Sequence, residues 1–306
     1  MKSKILLLSA LSFSFMLAFT SCKKDKSETT NSNDTIEMSA QTDDETQVSA
    51  ELNAIADDAD AAVSGEATMS GRVLSICDAT ATAEVAGDIK KITITYDGTN
   101  CKGNRKRTGT VIISMPKNVY WKNAGAVITI EAKNLKITRV RDNKSIIING
   151  IKTITNVSGG LLVNLSSQQT ITHKIESDGI TVTFDNNAQR TWKLAEQRDF
   201  TYNNGIVVTE TGFHTEGNKT GIAVWGVNRF GNEFTSEITS PLIVRQDCDF
   251  RLVSGSVVHT RGDISATLVF GLDVAGLPVS CPVGASYYFK ATWTGPNGSI
   301  SVILPY

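Results

Sequence analysis

The chain has 306 residues, 41% hydrophobic and 20% charged, with a formal net charge of −1. Such a length is ample for a large core, and such a charge balance excludes the basic signature of a nucleic-acid binder. The balance conceals an asymmetry: residues 27–70 hold eleven Asp/Glu and no Lys or Arg, whereas residues 71–306 hold 25 Lys/Arg against 19 Asp/Glu.

Taken in order, residues 1–21 read as a secretion signal: Lys2 and Lys4, then apolar Ile5–Phe19, then small Thr20 and Ser21 before Cys22. Phe-Thr-Ser-Cys resembles the lipobox of bacterial lipoproteins, with Phe19 in place of the usual Leu. That resemblance implies an acylated Cys22, and a mature chain held on the outer membrane by its N-terminal lipid. No later stretch approaches the ~20 consecutive apolar residues a membrane helix needs.

Residues 22–41 are expected to form a disordered acidic tether, extended by self-repulsion. At 42–65, Thr42-Asp43-Asp44-Glu45 has the form of a capping box. Val48, Leu52, Ile55, Ala59 and Val63 then step at helical spacing until Gly65, predicting one short amphipathic helix.

From residue 67 the pattern is β throughout. In the stretch 90–115, Ile92, Ile94 and Tyr96 alternate with threonines, as do Val111 and Ile113 with their neighbours. Similar runs follow at 126–132, 134–140, 144–149, 151–157, 169–175 and 180–185, and on to 299–304. Asn149-Gly150, Asp178-Gly179, Asn203-Asn204-Gly205 and Asn297-Gly298 read as hairpin turns between them. The expected fold is all-β: a long antiparallel meander in curled or sandwich-like sheets. A faint repeat divides it into 67–158 and 161–306, joined at Gly159-Gly160 and free to be continuous.

With Cys22 acylated, four cysteines remain, and an even set outside the cytosol points to disulfides. Of three pairings, Cys77–Cys101 with Cys248–Cys281 is expected, since each brackets one alternating strand. Roughly 3.5–4 kcal/mol apiece follows from loop entropy. Zinc would want closer ligand spacing, and no metal or cofactor is expected.

The segments 98–109, 142–160, 191–192, 225–231 and 293–306 resemble a group of Bacteroidota-type envelope lipoproteins without an assigned activity. The likeness implies location and architecture and no reaction.

The chain carries no Gly-x-Ser-x-Gly elbow, His-Glu-x-x-His or Walker loop. His173, His214 and His259 sit in separate β runs. Trp121, Trp192, Trp225 and Trp293 are candidates for stacking on an envelope glycan, or bulk for a large β core. Arg190 and Arg229 stand near two of them and suit cation–π stacking. Lys102, Arg105, Lys106 and Arg107 are candidates for an anion contact, or a solubilising hairpin end. The expected role is a non-enzymatic structural or interaction protein of the envelope, with glycan binding as the alternative.

Overall fold

The structure, a computed structural model, describes residues 32–66, 76–168, 170–281 and 286–306. The expected signal segment 1–21, Cys22 with its expected acylation, and residues 67–75 lie outside the described residues.

One helix, α1 (Ser32–Glu66), precedes fifteen strands. The first seven are β1 (Ala79–Ala86), β2 (Ile89–Thr99), β3 (Arg105–Pro116), β4 (Ala126–Arg139), β5 (Ser145–Asn156), β6 (Ile171–Phe184) and β7 (Gln189–Tyr202). Then come β8 (Ile206–Gly212), β9 (His214–Glu216), β10 (Lys219–Val227) and β11 (Glu233–Arg245). The chain closes with β12 (Arg251–Arg261), β13 (Ile264–Leu272), β14 (Tyr288–Gly295) and β15 (Gly298–Pro305). All belong to a single antiparallel sheet that runs from edge strand β1 to edge strand β15. The fold is therefore all-β, and β5 and β6 pair directly across the Gly159-Gly160 join.

One interruption breaks the meander. The lane between β7 and β11 is filled by two strands end to end. β8 pairs with Glu196–Tyr202 and Leu242–Arg245, and β10 with Thr191–Leu194 and Glu233–Glu237. Between them β9 turns out of the lane and back along β10.

Two of the expected hairpins are not turns. Residues 126–132 and 134–140 are halves of one strand, β4; so are 144–149 with 151–157 in β5, and 169–175 with 180–185 in β6. Register shifts at Thr108/Thr110, Ala132/Leu135, Ile151/Thr153 and Ser177/Ile180 place β-bulges side by side across β3–β7. Asn-Gly and Asp-Gly supply the backbone freedom a bulge needs as readily as that of a hairpin. A Cβ on Gly109 would lie 2.4 Å from the Asn134 carbonyl oxygen, and one on Gly150 would lie 2.8 Å from that of Gly179. Bulges bend the strands that carry them and curl the sheet towards one face.

The helix lies against the inner face of that curl. Its expected stripe holds: Val48, Leu52, Ile55, Ala59 and Val63 are all buried, in one core with Ile94, Val111, Ile113, Ile130, Leu135 and Ile137. Each valine, leucine and isoleucine among them contributes about 1.5–3 kcal/mol on burial. The boundaries differ from expectation. The helix starts at Ser32, so the disordered reading of 22–41 fails over its second half. Met38 and Gln41, inside that supposed tether, are fully buried. Self-repulsion is overcome because the acids meet cations on the strands.

Both disulfides are present as expected, Cys77–Cys101 with Cα atoms 5.2 Å apart and Cys248–Cys281 likewise at 5.2 Å.

The bulge row has a direct check. Gly109→Ala places a Cβ against backbone at a φ of +113° and should cost about 2–3 kcal/mol in urea unfolding. Gly179→Ala, with open space around its Cβ, should stay within about 0.5 kcal/mol.

Candidate functional site

Strand β7 sets the site. In Gln189–Tyr202 the residues of one parity, Arg190, Trp192, Leu194, Glu196, Arg198 and Phe200, run along the inner face. Three of them are charged. They escape an unpaired-charge penalty because α1 crosses above them with an acidic or polar residue at each turn.

The contacts run along the helix in order. Near its start, Arg261 of β12 pairs with Glu37, Asn228 donates to Gln41 at 2.9 Å, and Arg229 pairs with Asp44. Arg190 is fully buried, pairs with Glu45, and lies over the Trp192 ring at 4.6 Å and the Phe234 ring at 4.3 Å. Burial pulls the Arg190 guanidinium below its ordinary pKa, and Asp44 opposes that pull. Midway, Arg105 donates to Glu51 at 2.6 Å, Lys152 to the Leu52 carbonyl at 2.7 Å, and Arg198 to Asn53 at 2.6 Å. Towards the end, Arg107 grips Asp78 through two bonds of 2.6 and 2.7 Å and reaches Asp58 at 2.8 Å. The Tyr96 hydroxyl donates to the same Asp58 at 2.8 Å. Asp78 stands next to Cys77, so the first disulfide positions the acid that holds Arg107.

Beneath the first half of α1, between the helix and β7–β13, lies a cavity of about 140 Å³. Glu45, Ser49, Glu196, Glu210, Ser236 and His259 form its polar wall. Val224, Ile238, Leu242, Leu252, Leu268 and Phe270 are among its apolar residues. A smaller space of about 20 Å³ shares Ser49, Glu196 and Glu210 with it and is otherwise lined by groups such as Lys152, Trp192 and Arg198. Glu196 titrates at about 7: burial raises it first, the Glu210 carboxylate adds to that, and Arg198 and Lys152 oppose. His259 falls to about 4, through burial and then Arg190.

These groups do not assemble into a familiar reaction centre. Ser236 Oγ donates to Glu45 at 3.2 Å and lies 2.8 Å from His259 Nδ1, so the hydroxyl sits between acid and imidazole. Acyl transfer needs the imidazole in the middle, oriented by the acid. Glu210 and Glu196 both bind Arg198, at 2.7 and 3.5 Å, so a guanidinium bridges the pair, which does not flank an open position for a scissile glycosidic bond. Among the described residues the one group with metal-like spacing is Asp247, Cys248 and Cys281, whose two sulfurs are bonded to each other.

The sequence candidates fall in different places. Of the basic cluster, Arg105 and Arg107 turn inward to α1, while Lys102 and Lys106 are exposed, so the four do not form one outward anion site. Trp121 and Trp192 are buried. Trp225 is half-buried with its ring stacked 3.8 Å from His214, and Trp293 packs against the core of Leu268, Phe289 and Ala291. The four indoles share no groove. Arg190 stacks on Trp192 as expected, but Arg229 lies over Phe184 at 4.1 Å rather than over Trp225. His173 and His259 are buried rather than on strand surfaces, His173 between Trp121 and Phe200 with ring centroids 5.1 and 5.0 Å away.

Glu196 and Arg198 do not stand out in sequence, because charged inward positions erase the apolar alternation of β7; their shared parity with Trp192, Leu194 and Phe200 was the available signal. Glu210 of β8 and Ser236 of β11 lie on other strands and carried no such signal. Comparison with known protein families, curated proteins and solved structures gives no match.

Two predictions follow from the buried groups. In a double-mutant cycle, Arg190→Met or Glu45→Leu alone should cost about 3–5 kcal/mol, and the two together markedly less than the sum, read by urea unfolding. His173 and His259 both titrate at about 4 in the fold, so the unfolded chain binds their protons first and stability falls as pH drops from about 6.5 to 4. Glu196 acts oppositely: the fold holds its proton up to about 7, so its contribution falls as pH rises from about 4.5 to 7. Midpoints measured from pH 4.5 to 7.5 should show a shallower acid loss for His259→Gln and a steeper one for Glu196→Gln.

Proposed function

We propose that this chain is a lipid-anchored envelope protein with a non-enzymatic interaction role, its acylated Cys22 holding a helix-filled β trough close to the outer membrane. The observation that carries this reading is where α1 begins. Nine residues separate Cys22 from Ser32, and the ten steps between them span at most about 36 Å. The folded body thus stands on a short leash. Two disulfides support an oxidising compartment. An interaction role rather than catalysis is favoured by the use of inward charges, which bind the helix instead of converging on an open cleft. A glycan platform is not favoured, since two indoles are buried and the other two are covered or packed.

The test is chemical. Mass analysis of the protein from envelopes should show an N-terminal Cys22 carrying acyl chains, and the protein should partition into detergent. Cys22→Ser should move it to the aqueous phase with the same thermal unfolding as wild type. An unmodified mature terminus, or a Cys22→Ser protein that stays with detergent, would contradict the reading.

A further inference from the structure

We propose that the cavity under α1 is a binding site for a small amphiphile with an apolar chain or ring and a protonated amine head. The inference gives the interaction role a ligand; it rests on the body acting as a binder and is independent of the lipid at Cys22.

Apolar side chains make one wall of the cavity. Ile238 and Leu242 of β11 and Leu252 of β12 point into the cavity yet remain half-buried, unlike Val224 and Leu268 beside them, which are nearly closed off. The space of about 140 Å³ is close to that of apolar protein cavities of ~150 Å³ that take up benzene. A ring or a short alkyl chain fits, and would cover the half-buried leucine and isoleucine surfaces.

The polar side fixes the head group. Three carboxylates, Glu45, Glu196 and Glu210, line the cavity together with Ser49, Ser236 and His259, and among the described residues no lysine or arginine lines it. Two of the acids are well satisfied: Glu45 by Arg190 and Ser236, and Glu210 by Arg198 at 2.7 Å. Glu196 is 9% exposed and, among the described residues, its carboxylate meets Arg198 at a long 3.5 Å. That guanidinium is already committed to Glu210 and to Asn53 at 2.6 Å. An ammonium entering beside Glu196 would complete its neutralisation with charge-assisted hydrogen bonds. An anionic head would be desolvated beside Glu196 and would find both neighbouring guanidiniums already taken by Glu45 and Glu210, so the same wall that favours an amine rejects a fatty acid.

Octylamine, octanoate and octanol share a tail and differ in head, so they make the test. Each is titrated calorimetrically, at neutral pH and without detergent, into the full mature chain carrying Cys22→Ser. Octylamine should bind about tenfold or more tighter than octanoate, with octanol between them. Glu196→Gln should reduce octylamine to the octanol level. Leu252→Trp, or Val257→Phe if the first does not fold, should abolish binding of all three by filling the space, with circular dichroism confirming the fold. Equal or tighter binding of octanoate, octylamine binding that survives both filling substitutions, or no heat from octylamine at ~1 mM would overturn the proposal. Because the probes are added to unacylated protein, these outcomes are separate from the fate of the Cys22 reading.

Discussion

Opposite charge across one interface holds this molecule in its shape. Helix α1 carries Asp34, Glu37, Asp43, Asp44, Glu45, Glu51, Asp57, Asp58, Asp60 and Glu66 and no basic residue, a composition that disfavours a free helix by repulsion. It persists because the inner face of the sheet presents Arg105, Arg107, Arg190 and Arg261 towards it, and the turn between β10 and β11 adds Arg229. Each isolated partner would be a buried uncompensated charge, so helix and sheet need each other. Apolar packing of Val48, Ile55 and Ala59 supplies the bulk of the burial, while the ion pairs fix which turn of the helix faces which strand.

Curvature makes that interface geometrically available. A flat sheet this wide could touch a single helix with only a few strands. The row of bulges across β3–β7 bends the sheet so that strands as far apart as β2 and β12 both reach α1. Gly109 and Gly150 are required there by close backbone approach, and the Cys77–Cys101 bridge anchors the segment bearing Asp78. The split lane of β8 and β10 serves the same end, since β8 brings Glu210 to Arg198 and β10 places Ile222 and Val224 in the core.

How much of this could be read from residues alone follows from what each pattern encodes. Period-two runs and the helical stripe report which face is apolar, so the all-β class and the buried residues of α1 were legible. Cysteine spacing, together with the strands between, led to the observed pairing. Asn149-Gly150 and Asp178-Gly179 misled because hairpins and bulges ask for the same backbone freedom, and only pairing partners distinguish them. The acidic leader misled more deeply. Charge seen along the chain argues for repulsion, whereas partners such as Arg190 and Glu45 are 145 residues apart and meet only in the fold. β7 was illegible for the same reason, as Arg190, Glu196 and Arg198 occupy inward positions where apolar residues are expected.

Helix α1 is therefore an integral part of the folded body rather than an acidic leader lying loosely beside it. Native-state hydrogen exchange measured across residues 45–63 tests this most directly. The amides of that segment should exchange as slowly as those of β3–β7, and only through an opening that also exposes the strands. Exchange of those amides at the rate of exposed loops, with the sheet still fully protected, would contradict it.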